Sequence, residues 1–172
     1  ESQIRDRVLY GWAQPGLYDA WIRLMAPRRG RRIRLEASTV CQLKCPMCST
    51  ATGKNRKGVV GWGMLRFEKF QQIAENIPHL RSIELSNWGE IFLNPDLAKI
   101  ARFAQEKGIE LTATNGVNLN NVKDETLRAI VKHGFRRISV SIDGASHETY
   151  KQYRVKGSYK RVIRHIERIN YF

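Results

Sequence analysis

A repeating alternation of strand-like and helix-like segments is the feature that most constrains the fold of this 172-residue chain. Short β-type stretches recur along the sequence, at residues 33–37, 82–86, 109–114 and 137–142. The last three begin near residues 83, 110 and 137, at a constant spacing of 27 residues. This order predicts repeated strand–helix units, whose strands run parallel and whose helical crossovers are right-handed.

The segments after these strands place apolar residues at helical spacing: Phe67, Phe70, Ile73 and Ile77; Leu97, Ile100, Ala101 and Ala104; Leu127, Ile130 and Val131; Val162, Ile163, Ile166 and Ile169. Pro95 precedes the second predicted helix, and Gly108 and Gly134 follow the second and third where C-caps are expected. Four parallel strands do not close a barrel. We therefore predict an α/β fold, a partial parallel (β/α) barrel with at least four βα units, whose remaining strands lie outside this sequence.

The chain is predicted to comprise two parts. Residues 1–30 carry an apolar helical stripe and are interpreted as an N-terminal helical extension, whereas residues 31–172 form the core, which we expect to be incomplete at its C-terminus. No apolar run approaches the roughly 20 residues needed to span a bilayer, and no signal-peptide pattern is present. These features predict a cytoplasmic protein with no membrane partner.

The formal net charge of +14 indicates an anionic partner, either a substrate or a nucleic acid. Basic residues cluster in two places, at positions 28–34 and at Lys54, Arg56 and Lys57. Basic charge alone gives only non-specific attraction to nucleic acid, and no recognised RNA-binding motif accompanies it. A nucleic-acid partner is therefore an alternative that we do not favour.

The cysteines of the chain, Cys41, Cys45 and Cys48, lie on one short segment after the first predicted strand, with the spacing C-x3-C-x2-C. An odd, tightly clustered set favours metal binding over disulfides. A cubane iron–sulfur cluster normally takes four thiolates, so three would leave one iron open for a ligand. A closed zinc site, which needs a fourth ligand, and unligated buried cysteines are the less favoured alternatives.

Polar motifs also follow the other predicted strands, at 87–90, 114–116 and 141–144. Ligand sites in parallel α/β folds form at the carboxyl ends of the strands, so we expect these motifs to meet the cysteine segment at one rim. Each motif alone has a simpler explanation: a turn at 114–116, a turn at 143–144 before an N-cap at Ser146, a solvated acid at Glu90, or a surface position for Arg154. Their order along the chain favours a functional site.

The cysteine motif after a first strand resembles the signature of the radical S-adenosylmethionine (SAM) superfamily, and the resemblance covers residues 32–170. It implies that Cys41, Cys45 and Cys48 hold a [4Fe–4S] cluster whose open iron is chelated by SAM. It also implies a set of SAM-binding positions: Met47, Gly89, Glu90, Asn115, Ser141, Asp143 and Arg154. In this family Gly89-Glu90 corresponds to the end of a Gly-Gly-Glu motif that accepts hydrogen bonds from the SAM ammonium group, although Trp88 replaces its first glycine.

In the same family, Asn115, Ser141 and Asp143 correspond to contacts with the SAM ribose and carboxylate. Arg154 corresponds to an arginine that pairs with the carboxylate, a role that suits a guanidinium fork. The segment 46–48, Pro-Met-Cys, is similar to the branch that carries C-terminal SPASM or twitch cluster domains.

The resemblance further implies reductive cleavage of SAM, giving a radical that abstracts a hydrogen atom from a substrate. That substrate is expected to be a peptide or protein, with oxidation of a small molecule as the alternative. A donor such as flavodoxin or ferredoxin would supply the electron. Two alternatives from other classes stay open at this point: a non-catalytic iron–sulfur protein, and a basic RNA-binding module with a structural metal.

Overall fold

The computed structural model describes residues 30–54 and 61–172. The predicted N-terminal extension and the basic positions Arg56 and Lys57 lie outside the described residues. The elements, in chain order, are β1 (Arg31–Arg34), α1 (Phe67–Asn76), β2 (Leu80–Glu84), a 3-10 turn (Ile91–Leu93), α2 (Leu97–Glu106), β3 (Glu110–Val117), α3 (Asp124–Lys132), β4 (Arg137–Val140), α4 (His147–Tyr153) and α5 (Tyr159–Tyr171).

The four strands form one parallel sheet in the order β1-β2-β3-β4. Each strand therefore lies beside the next strand of the sequence, as a series of βα units requires. The prediction of an α/β partial barrel with four such units is confirmed.

The strand bounds differ from the predicted ones because the regular ladder ends early in β1, β2 and β4. After β1 the chain still runs beside β2, with Leu35 N donating to Glu84 O and Ala37 N to Leu85 O. In contrast, β3 extends to Val117 and includes Thr114-Asn115-Gly116, so this motif is part of a strand and not a separate turn. Its register with β4 shifts between Ala113 and Val117, and Gly116 there has a φ of +105°.

The helix boundaries follow from local sequence signals. Gly108 and Gly134 both adopt a φ of +67° after α2 and α3, which a Cβ-bearing residue would resist. Ser146 caps α4, because its Oγ accepts a hydrogen bond from Thr149 N at 3.3 Å. The predicted caps at these three positions are therefore present.

The hydrophobic core lies between one face of the sheet and the helices. Strand residues Ile83, Leu111 and Ala113 pack there with helix residues, among them Phe70, Leu97, Ile100, Leu127, Ile130 and Val162. Because side chains alternate along a strand, the opposite face carries Arg34, Glu84 and Thr112. Within residues 30–54 and 61–172, no helix has the length and apolar character needed to cross a bilayer.

Candidate functional site

The three cysteines lie on the loop that follows β1. Cys45 is buried, Cys41 and Cys48 are half-buried, and all three are free thiols. A turn closes the loop, since Cys48 N donates to Cys45 O at 3.2 Å. Lys44 N donates to Val155 O at 2.9 Å, which fixes the loop against the segment between α4 and α5. Two parts of the chain more than a hundred residues apart therefore position the thiols.

A cavity of about 170 Å³ lies beside the thiols, at the carboxyl ends of the strands. The lining includes all three cysteines and five of the predicted SAM-binding residues: Gly89, Glu90, Asn115, Ser141 and Arg154. The two remaining predicted residues are placed differently. Met47 is 83% exposed, and neither it nor Asp143 lines the cavity.

Gly89 lies where two loops approach too closely for a side chain. A Cβ at this position would lie 2.0 Å from Ser38 O, inside van der Waals contact. The neighbouring Glu90 N donates to Val40 O at 2.8 Å, and Thr50 Oγ1 donates to Trp88 O at 2.8 Å. Glycine is therefore needed at position 89. Position 88 does not require glycine, because its φ is not positive and the Trp88 side chain is 47% exposed.

Glu90 is buried, with 1% of its surface exposed, so the alternative of a solvated loop acid is wrong. Its Oε1 accepts from Phe92 N at 3.1 Å and its Oε2 from Asn118 N at 2.6 Å. Burial raises the pKa of Glu90 to about 7, against the opposing effect of these two hydrogen bonds and of the Arg154 charge. A bound cation would restore the charged form, because an opposite charge favours ionisation.

Arg154 reaches the cysteine loop from the end of α4. Its Nε donates to Asp143 Oδ2 at 2.5 Å, and a second guanidinium nitrogen pairs with the same oxygen. Its Nη1 lies 3.8 Å from Cys45 Sγ. Asp143 thus orients Arg154, whose remaining N–H groups face the cysteine side of the cavity.

Asn115 lies in β3 and Ser141 directly follows β4, and the two parts of the chain meet at Gly116. Asn115 N donates to Ser86 Oγ at 3.2 Å, and Asn115 Nδ2 donates to Asn87 Oδ1 at 3.1 Å. Ser141 Oγ would lie 2.4 Å from a Cβ at Gly116, so the glycine allows β3 and the segment after β4 to converge. Both polar side chains are thereby held at the wall of the cavity.

Asn118 is a site residue that the sequence analysis missed. Its Nδ2 donates toward Cys41 Sγ at 3.6 Å, while its Oδ1 accepts from Gln42 Nε2 at 2.8 Å and from Asn120 N at 2.9 Å. Asn118 lies one residue beyond the observed end of β3, a position typical of ligand-binding residues in parallel sheets. The sequence analysis ended this strand at residue 114 and therefore did not consider it. Asn118 joins the cysteine loop to Glu90, since its own backbone N–H binds that carboxylate.

The surroundings of Cys41 and Cys45 favour their neutral thiol form. Burial raises the pKa of Cys41 to about 11. Burial also raises the pKa of Cys45, although the charge and N–H groups of Arg154 act in the opposite direction. Metal binding would overcome this effect, because a coordinating thiol is deprotonated.

The donor set fits a cluster better than a single ion. Three thiols line one side of the cavity, and the other lining residues supply no fourth thiol. Among the described residues, no three His, Cys, Asp or Glu side chains are arranged around one metal-ion position. A cubane binds each cysteine through a different iron and so spaces its thiolates more widely than one ion does. Cys41, Cys45 and Cys48 would hold the cluster and leave one of its irons without a cysteine ligand, in a cavity that Glu90 and Arg154 also line.

Comparison with known proteins agrees with this geometry. The model of the radical SAM superfamily matches residues 35–170. The chain is 32% identical over 140 residues to an AdoMet-dependent heme synthase of Methanosarcina barkeri (strain Fusaro / DSM 804), an alignment that covers 80% of this chain and 38% of that protein. The chain therefore spans well under half the length of this relative.

Solved structures share the fold. SuiB of Streptococcus suis bound to S-adenosylmethionine aligns with a TM-score of 0.64 at 18% identity, over 81% of this chain and 31% of that one. The anSMEcpe structure with bound AdoMet aligns with a TM-score of 0.62 at 17% identity, over 81% of this chain and 41% of that one. Because the family match extends over most of the sequence, this chain belongs to the radical SAM superfamily.

Proposed function

We propose that this chain is the SAM-cleaving core of a radical SAM enzyme. The observation that carries the proposal is the convergence of three free thiols, a buried carboxylate and an arginine on one cavity. Members of the superfamily use a [4Fe–4S] cluster and SAM. When bound, the two together supply a 5′-deoxyadenosyl radical that abstracts a hydrogen atom from the substrate.

The residues of this chain would bind and orient the methionyl group of SAM. Glu90 would accept hydrogen bonds from its ammonium group, a contact that offsets the cost of burying this carboxylate in its charged form. Arg154, held by Asp143, would donate to its carboxylate. Asn115 and Ser141 would donate to or accept from its ribose, and Met47 would contact the cofactor only after the exposed loop tip moved toward the cavity.

Two substrate classes are supported by different observations. The likeness of segment 46–48 to the SPASM/twitch branch supports a peptide or protein substrate. The 32% identity to an AdoMet-dependent heme synthase supports a small-molecule substrate instead. Incubating the cluster-loaded chain and SAM with a candidate substrate of each class, and identifying which one is modified, would distinguish the two classes.

The remaining parts of the proposal concern the surroundings of the core. Residues 31–172 would form the radical SAM core and residues 1–30 an extension to it. A flavodoxin or ferredoxin would deliver the electron. A cytoplasmic location is proposed because reduced cysteines are maintained in that compartment.

Anaerobic reconstitution with iron and sulfide, followed by dithionite and SAM, tests the proposal. We expect 5′-deoxyadenosine and methionine to form in equal amounts. An intact cluster that produces no 5′-deoxyadenosine would point to an electron-transfer iron–sulfur protein. Zinc without sulfide, together with salt-dependent RNA binding, would point to the basic RNA-binding alternative.

A further inference from the structure

The face of the sheet opposite the helices forms a second, larger cavity, of about 540 Å³. We call it the strand-face cleft and define it by Arg32, Arg34, Glu84, Glu110, Thr112 and Arg137, which belong to its lining. A sheet face packed against a core would be apolar, whereas most of the residues that line this face are polar or charged.

Four residues of the cleft form one row across the sheet. Arg34 is in register with Glu84, Glu84 with Thr112, and Thr112 with Arg137. Neighbouring strands are about 4.8 Å apart, so the backbones of Arg34 and Arg137 are separated by about 14 Å. Two guanidinium groups therefore flank the row at its two ends.

The carboxylates in the cleft are already engaged. Glu84 accepts hydrogen bonds from the hydroxyl groups of Ser86, Thr112 and Thr114, at 2.7, 2.7 and 2.6 Å, and from the backbone N–H groups of Ser86 and Thr114. Glu110 pairs with Arg136 at 3.6 Å. These contacts occupy the acceptor positions that a neighbouring arginine would otherwise use.

The arginines at the two ends of the row lack such partners. Among residues 30–54 and 61–172, no ion pair includes Arg32, Arg34 or Arg137. All three are exposed. The cleft thus presents three guanidinium groups whose forks are available to oxyanions.

A third cavity, of about 410 Å³, joins the cleft to the cysteine site. It shares Arg34 with the cleft, and it shares Asn87, Trp88 and Asn115 with the cavity beside the thiols. The three spaces therefore follow one another along the same side of the sheet. A molecule held at Arg34 can extend toward Asn115 and the thiols.

We propose that the strand-face cleft binds an organic substrate bearing at least two oxyanion groups, carboxylate or phosphate, through Arg34 and Arg137. This inference rests on the proposed function, because it places the reacting carbon of that substrate toward the cysteine site. Arg32 adds attraction for further negative charge on the same molecule. The chemistry of the cleft favours an anionic substrate and disfavours a neutral or cationic one.

Titration calorimetry with the cluster-loaded chain, in the absence of SAM, tests the inference with two probes, benzene-1,2,4,5-tetracarboxylate and inorganic pyrophosphate. We expect one binding site, and the tighter probe identifies the oxyanion as carboxylate or phosphate. The paired change Arg34→Gln and Arg137→Gln should weaken binding at least about tenfold, since a hydrogen bond to a charged group contributes about 1.5–3 kcal/mol.

The matched control is Arg102→Gln with Arg164→Gln, which removes the same charge from exposed positions on α2 and α5. It should change binding less than about twofold at physiological salt, because exposed charges farther than a Debye length are screened. Equal weakening in both double variants, or no binding of either probe, would overturn the inference. The calorimetry does not measure SAM cleavage, so a negative result would leave the proposed function as the core of a radical SAM enzyme unaffected.

Discussion

Two glutamates only six positions apart show how differently the two polar regions of this molecule are built. Glu84, at the end of β2, lies on the strand-face cleft, where hydrogen bonds from Thr114, Ser86 and Thr112 outweigh its partial burial and hold its pKa at about 2. Glu90 lies in the cavity beside the thiols, where burial raises its pKa to about 7. One carboxylate is saturated with donors, whereas the other receives only two backbone N–H groups.

The difference in hydrogen-bond donors indicates that Glu84 has a structural role, whereas Glu90 can still bind a ligand. Glu84 joins β2 to β3 through hydroxyl and backbone donors and has little capacity for another ligand. Glu90 retains free lone pairs in a buried setting, so a cationic ligand would be stabilised there more strongly than in water. The cysteine site can therefore accept a cationic partner that the residues described by the structure do not supply.

The largest expected effect comes from removing a thiol of the cysteine site. Cys45→Ala leaves two thiols in the loop, and we expect complete loss of the cluster and of SAM cleavage. Iron and sulfide content after anaerobic reconstitution checks this. The control is Lys44→Ala, on the same loop but exposed, which should retain both. A cluster that survives in Cys45→Ala would mean that another residue can ligate it.

Gly89→Ala should cost about 3 kcal/mol of unfolding free energy, because the added Cβ meets Ser38 O at 2.0 Å and the backbone must shift. Chemical denaturation measures the loss. Gly63→Ala is the matched control, since nothing lies within 4 Å of a Cβ there, and it should change stability by less than about 0.5 kcal/mol. Equal stability of the two variants would show that the loops are not in close contact.

Opposite pH dependences should distinguish the two glutamates. Because the pKa of Glu90 is raised to about 7, its contribution to the free energy of unfolding is fully present below pH 4.5. That contribution is lost as the pH rises through about 7, a change of about 3 kcal/mol. The lowered pKa of Glu84 means that its contribution is present above pH 4.5 and is lost as pH falls toward 2, by a smaller amount because solvent screens this group.

Unfolding free energies of the cluster-free chain, measured from pH 2 to pH 8 beside Glu90→Gln and Glu84→Gln, test this contrast. Each variant should lose the pH dependence in its own window and keep the other. If Glu90→Gln left the slope between pH 4.5 and 7 unchanged, the carboxylate would not be buried in the way described.

A smaller effect is expected at Asn118, whose side chain donates toward Cys41 Sγ. Asn118→Leu removes that donor while keeping a similar branched shape, so the reduction potential of the cluster should fall, because hydrogen bonds to the sulfurs stabilise the reduced form. SAM cleavage should slow by about tenfold, the usual size of an effect exerted through a ligand. Redox titration followed by EPR measures the potential, and an unchanged potential would contradict the contact.

The sequence predicted the parallel sheet, and most of the predicted site residues line one cavity, because both follow from periodicity and from motifs next to strands. The spacing of apolar residues placed α1, α2 and α3 and, through them, the parallel order of the strands. The strand ends were less predictable, since the register shift between Ala113 and Val117 depends on packing against β4. Asn118 lines the cavity one residue beyond the observed end of β3, and the strand end predicted at residue 114 concealed this position.

The environments of the carboxylates also lay beyond sequence reasoning. Glu84 and Glu90 are both single acids near a strand end in the sequence, and only long-range contacts distinguish them. The donors from Thr112 and Thr114 reach Glu84 across 28 and 30 positions, and Asn118 reaches Glu90 across 28. The pairing of Asp143, a predicted ligand contact, with Arg154 is likewise a tertiary contact that no local pattern indicated.

The central claim is that three thiolates leave one iron open to SAM beside Glu90 and Arg154. Electron–nuclear double resonance of the reduced, reconstituted chain with SAM carrying a ¹⁵N-labelled amino group measures this directly. We expect a ¹⁵N hyperfine coupling to the cluster that is retained in Lys44→Ala. A cluster whose spectrum is unaffected by SAM and shows no ¹⁵N coupling would contradict the account.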